Sequence, residues 1–234
     1  KAAYLGLGLL SRIASMNVAV SHSLARQLVE FGCPIRKLTV IHNGIVLPTG
    51  VHGHTHERPY VLTAGSLRKH KGQETLIRAF AQFRAAFDWD LLIAGKGPME
   101  PALVQLVAEL GLQSRVKFLG FQHDLFPYFA GARMFVLPST VETFALVIVE
   151  AMACGTPVIA TDCGGPRELL DNGAYGRLVP PGDMNAMAGA MVDFARQRHY
   201  PEQLINRARE FSIIQVVHKE SERGEKGARV SSLG

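Results

Sequence analysis

Apolar residues in this chain gather in short runs, and the stretches between the runs carry them at helical spacing. The runs are Tyr60–Ala64, Leu91–Ala94, Val116–Leu119, Met134–Leu137, Val158–Thr161 and Arg177–Val179. Their length and composition predict short buried strands. The stretches near 72–87, 99–111, 124–131, 145–154 and 165–171 predict helices, and two more follow near 183–197 and 201–211. Strands alternating with helices imply parallel βαβ units in an α/β, Rossmann-like doubly wound sheet. Such sheets bind ligands beyond the carboxyl ends of their strands. Functional side chains are therefore expected just after each strand.

Upstream the pattern is shorter. Residues 2–15 predict a helix and Val18–Val20 a strand. Ser21 or Ser23 can cap a helix over 22–32 that stops at Gly32, and Leu38–Ile41 predict a strand closed by the Asn43-Gly44 turn. Residues 45–58 hold Pro, Gly and three histidines without periodicity, and read as a linker. His52, His54 and His56 alternate, but no carboxylate or thiol accompanies them at short range, so a solvated linker is expected rather than a metal site. The tail 218–234 is polar, and disorder is its simplest reading. The expected division is 1–48 as a short unit with a linker, 49–212 as the main domain and 213–234 as a disordered tail.

Composition narrows the function classes. With 47% hydrophobic and 19% charged residues, the chain has enough apolar sequence for a sizeable core, which argues against global disorder. The net charge of +5 suits an anionic ligand or a membrane surface. No Lys/Arg run is interleaved with aromatics, which argues against nucleic acid. Cys33, Cys154 and Cys163 are odd in number and lack metal or redox spacing, so reduced thiols in a cytoplasmic setting are expected, with Cys154 and Cys163 packed in the core. Ala2–Leu10 is apolar but too short to span a bilayer. Contact with a membrane surface stays open.

The segment Phe144–Cys154 is apolar at every position except Glu150. A helix apolar all round is buried, and a buried carboxylate is costly unless something satisfies it. Two readings stand side by side. In one, Glu150 pairs with a distant Arg, and Glu142 favours the helix N-terminus by its charge. In the other, Glu150 accepts hydrogen bonds from two ribose hydroxyls, Glu142 faces a sugar, and the amides of Phe144, Ala145 and Leu146 face phosphate.

Glu142 to Glu150, continuing through Gly155 and Pro157, resembles the E-x7-E signature of the group 1 retaining glycosyltransferases of GT-B fold. Leu137-Pro138-Ser139, Gly164-Gly165-Pro166-Arg167-Glu168, Val61–Gly72, Leu92–Pro98 and Val116–Phe121 stand where that family places similar runs, and the likeness covers most of 17–185. It implies a nucleoside-diphosphate-sugar-binding domain, with Lys71 and Glu142 as catalytic residues. Lys71 would compensate diphosphate charge as the sugar departs. Other implied donor contacts are Ser66, Arg68, Gly95, Gly97, Phe121, Thr143, Phe144, Ala145, Leu146 and Glu150. Phe121 reads equally well as core, Lys71 as a solvated lysine, and Gly164-Gly165 as a turn.

Several positions depart from the family. Ser66 stands where an Arg is common, with Arg68 as a possible substitute. Thr143 and Ala145 replace two glycines, and the Thr143 hydroxyl is expected to cap the helix. His42 replaces a proline and reads as a structural change rather than a catalyst. Residues 1–44 resemble only the end of the acceptor-binding domain, and residue 1 is Lys, so a fragment is expected. The resemblance implies a donor half that transfers a sugar to an acceptor hydroxyl on a glycan, lipid or small molecule. No cofactor and no metal are implied, and the isolated chain would be inactive. A non-catalytic nucleotide-sugar-binding remnant or a subunit needing a partner is the alternative. A Rossmann dehydrogenase is disfavoured because no G-x-G-x-x-G follows a strand. Base, sugar, acceptor and oligomeric state are not legible.

Overall fold

In the computed structural model, residues 10–218 are described. Residues 10–13 are helical, and the rest of the helix expected over 2–15 lies outside the described residues except for 14 and 15, which form a bend. A small parallel sheet follows, with β1 (Asn17–Ala19) paired to β2 (Leu38–Val40) in the register Val18 to Thr39. Between them runs α1 (His22–Glu30), capped by Ser21, whose hydroxyl accepts the Leu24 amide at 3.0 Å.

The main sheet contains β3 (Tyr60–Ala64), β4 (Asp90–Ala94), β5 (Val116–Gly120), β6 (Met134–Leu137), β7 (Val158–Thr161) and β8 (Arg177–Val179), within a residue of the expected runs. Their order is β5-β4-β3-β6-β7-β8, and every pairing is parallel. All residues of β3, β4, β6 and β7 are buried, as strands covered on both faces must be. Side-chain alternation divides the core. Val61, Leu91, Ile93, Met134 and Val136 pack under α2 (Gln73–Phe83), α3 (Glu100–Glu109) and α7 (Met184–Arg196). Tyr60, Leu62, Leu92, Phe135 and Leu137 pack under α4 (Phe126–Gly131), α5 (Leu146–Ala153), α6 (Gly165–Leu169) and α8 (Pro201–Arg209).

Three expectations are corrected. The histidine-bearing segment is not a solvated linker throughout. His56 is half-buried and its Nε2 lies 2.8 Å from Oδ2 of Asp90, which is fully buried and also meets Arg115. His54 donates its amide to Pro127 and packs its ring 4.5 Å from Tyr128, whereas His52 stays exposed. A buried carboxylate at the head of β4 needs hydrogen-bond partners, and His56 is one of them. At the other end, disorder was expected from 213, but residues 213–218 are helical. The Ile213 amide bonds to Ile45 O at 2.9 Å, and the Ile45 amide to Phe211 O at 3.0 Å. Residues 219–234, the rest of the tail, lie outside the described residues. Cys154 and Cys163 are half-buried rather than fully in the core, and only Cys33 is buried.

Candidate functional site

β3 and β6 are neighbours, while β4 and β7 leave them in opposite directions. This is the topological switch point, where loops leaving adjacent strands diverge and open a crevice. The loop after β3 and the loop after β6 are tied together there. Thr140 donates its amide to His70 O at 2.7 Å and its hydroxyl to the same oxygen at 3.2 Å. The first loop delivers Lys71, whose Nζ lies 2.5 Å from Oε1 of Glu142. Ser139 donates its hydroxyl to that oxygen at 2.9 Å. The Ser139 carbonyl in turn accepts the hydroxyl of Thr161 from β7. Glu142 is thus oriented from three strand ends, with a side chain 11% exposed.

The entry to α5 is tight. Ala145 adopts φ 76° and ψ 67°, a left-handed conformation unfavourable for a residue with a Cβ. It turns the chain so that Phe144 is buried and α5 begins at Leu146 with no side-chain cap. The first-turn N–H groups of such a start have no intrahelical partner and favour an anion. Thr143 does not cap the helix as expected: it is exposed, and its carbonyl accepts the Ser21 hydroxyl at 2.6 Å. The start of α6 packs closely against this turn. A Cβ on Gly165 would stand 2.7 Å from the Phe144 Cα and amide nitrogen, so any side chain there would push the two helix starts apart.

Glu150 lies one turn into α5 and is half-buried. No Arg, Lys or His among the described residues forms an ion pair with it. Burial pushes its carboxyl above the usual carboxylate range. It lines a recess of about 110 Å³ with residues 122–126, the connection from β5 to α4. The distant-Arg reading of Glu150 is therefore not what the fold builds. Cys154, one turn further, has its thiol pushed up to about 11 by burial and by the charges of Asp124 and Glu150.

The other expected donor residues sit on the same rim. Ser66 and Arg68 are exposed on the loop after β3, and the Arg68 guanidinium pairs with no acid among the described residues. Gly95 and Gly97 follow β4. The loops interlock, with Leu67 N bonding to Lys96 O and Met99 N to Leu67 O, each at 3.0 Å. Phe121 is 62% exposed after β5, which removes its reading as core. Sequence reasoning missed Gln73, which is buried and donates to Ser66 O at 3.1 Å, and the Ser139–Thr161 relay. Both are polar residues at strand or helix ends whose burial depends on tertiary neighbours. His42 bonds through Nε2 to Glu168 Oε1 at 2.6 Å. Burial raises the Glu168 carboxyl, but the bond and charge of His42, together with the His22 amide, outweigh it and hold the group below its ordinary value. A cavity of about 490 Å³ lies elsewhere, beside Pro157 and Arg177 at the amino ends of β7 and β8. Its lining includes none of Lys71, Glu142 and Glu150. No helix among the described residues is long and apolar enough to cross a membrane.

The family model described as "Glycosyl transferases group 1" matches residues 50–211. N-acetyl-alpha-D-glucosaminyl L-malate synthase of Bacillus anthracis is 31% identical over 202 residues, covering 82% of this chain and 53% of that protein. D-inositol 3-phosphate glycosyltransferase of Frankia alni is 40% identical over 114 residues, covering 47% of this chain and 28% of that protein. Among solved structures, Anabaena HepE in complex with UDP superposes with a TM-score of 0.81 at 26% identity, covering 93% of this chain and 65% of that one. The chain spans about half the length of the B. anthracis relative.

Proposed function

Because the chain belongs to the group 1 glycosyl transferase family, we propose that it is the donor-binding half of a retaining glycosyltransferase. It would hold a nucleoside-diphosphate sugar whose glycosyl group passes to an acceptor hydroxyl. The observation that carries this reading is Glu150, a half-buried acid with no cationic partner among the described residues, on a helix that opens at the switch point. Two ribose hydroxyls are suitable donors for such a carboxylate, and each hydrogen bond to a charged acceptor contributes about 1.5–3 kcal/mol. Glu142 faces the sugar. Lys71 and the amides at the start of α5 receive the diphosphate, and an ammonium with a helix terminus compensates charge as the leaving group departs. Ser66, Arg68, Gly95, Gly97 and Phe121 frame the phosphates and base. This reading assigns charge compensation to the chain's own groups rather than to a metal or cofactor. HepE is described with UDP, which supports uracil as the first base to test.

Calorimetric titration with UDP-, GDP- and ADP-sugars tests the reading. One of them is expected to bind the folded protein and to lose affinity with Glu150→Ala. Absence of binding by all three, with Glu150→Ala indistinguishable from the parent, would overturn it. Since the chain spans about half of the B. anthracis relative, we also propose that it alone turns over little. Orienting two substrates needs both walls of the cleft. Robust transfer by this chain without an added acceptor domain would refute that part.

A further inference from the structure

At the seam between the β1–α1–β2 unit and α6 stands a cluster that the donor reading does not use. His22 begins α1, His42 follows β2, and Glu168 lies in α6. One ligand atom from each falls within 4.8 Å of the other two, and among the described residues this is the group of His, Cys and acidic side chains that converges in this way. Glu168 already spans the seam. Its Oε1 lies 2.6 Å from His42 Nε2, and its Oε2 accepts the His22 amide at 2.8 Å. The His42 ring is held between Phe144, stacked at 5.6 Å and 25°, and Phe211, edge-on at 5.6 Å. The His22 ring stands nearly perpendicular to it, at 77° and 5.8 Å. The Glu168 carbonyl is fixed from behind by Arg207 at 2.9 Å. A hydrogen-bonded His42–Glu168 pair accounts for two of the three residues. It does not account for the His22 imidazole, which has no hydrogen-bond acceptor or ion-pair partner among the described residues.

We propose that His22, His42 and Glu168 bind a zinc ion that clamps the β1–α1–β2 unit to α6. Two imidazoles and one carboxylate, with water in the fourth position, form a ligand set suited to Zn²⁺. Tetrahedral zinc spaces its ligand atoms about 3.3 Å apart, given metal–ligand distances of roughly 2.0–2.1 Å. From the observed limit of 4.8 Å, that spacing asks for a turn of the exposed His22 ring and a lengthening of the 2.6 Å His42–Glu168 contact. The bound ion replaces the proton shared by His42 and Glu168. The site is separate from the Lys71–Glu142 pair and takes no part in the transfer reaction.

The test is a zinc titration of the untagged protein by calorimetry, with Co²⁺ as a spectroscopic substitute. The expected result is one zinc per chain with Kd of roughly 10 µM or tighter. Co²⁺ should show visible absorption of tetrahedral intensity. His22→Ala should weaken zinc at least about tenfold while leaving the metal-free melting temperature and nucleotide-sugar binding unchanged, because it spares the His42–Glu168 bond. Glu168→Gln gives a second arm that keeps side-chain shape, with the same loss of zinc. Failure of the parent to bind one zinc at that affinity would overturn the proposal. So would zinc binding that both variants retain, which would place the metal on other histidines such as those at 52–56. Because nucleotide-sugar binding is followed in parallel, failure of the metal site and failure of the donor site are read separately.

Discussion

Two carboxylates eight residues apart in one segment meet opposite treatment. Glu142 is supplied in advance: Lys71 and Ser139 converge on one oxygen, and Thr161 holds the Ser139 carbonyl. Glu150 has no ion-pair partner among the described residues, and burial raises its pKa. The difference teaches how a binding site divides its costs. A group that must hold one orientation is fixed by protein partners before the ligand arrives. A group whose partner is the ligand is left unsatisfied, and the empty fold bears its desolvation.

The contrast can be broken from either side. The largest effect is expected at the supplied end. In a chain extended by an acceptor domain, Lys71→Ala should lower kcat by about 10²–10³-fold, the loss typical of removing one group that stabilises developing charge. A steady-state assay checks this, and a change in KM alone would remove Lys71 from the leaving-group role. Next, Glu150→Ala should weaken nucleotide-sugar affinity by about 10–100-fold in calorimetry, from the loss of hydrogen bonds to a charged acceptor. The same position should then show the reverse sign in stability. Glu150→Gln should stabilise the ligand-free fold by about 1 kcal/mol near pH 8, since a desolvated charge is removed. Its folded pKa is raised, so the native state holds the proton more tightly than the unfolded chain. The parent is therefore penalised once pH rises through that value, and the advantage of Gln should fade as pH falls below the ordinary carboxylate range. Denaturant melts at several pH values would show it. The smallest change is at the helix entry. Ala145→Gly should stabilise by about 0.5 kcal/mol, because relief of the left-handed strain exceeds the added unfolded-state entropy.

Much of this was legible beforehand because period alone decides it. Strands β3, β6 and β7 fall on the runs that the apolar pattern marked, since residues buried on both faces leave continuous hydrophobic sequence. Glu150 stood out for the same reason, as one acid in a greasy helix. What stayed hidden depends on neighbours distant in sequence. His56 looked solvated because Asp90 and Arg115, its buried company, lie 34 and 59 positions away. Phe121 stayed divided between core and donor contact because nothing in a single aromatic reveals that the chain leaves it at the rim. Thr143 suggested a cap, but the Ala145 turn places the start of α5 three residues beyond it.

Ile45 and Ser212 pair side by side in parallel. The strand leaving the small sheet and the segment beyond α8 thus travel together as a two-ply strap. A single connecting thread would let the units swivel about many axes. Two plies stitched by backbone bonds resist twisting and shearing, and leave bending across the strap as the soft motion. Any opening between the small sheet and the main one should accordingly be a one-axis swing, and its pivot is the Ile45–Ile213 seam.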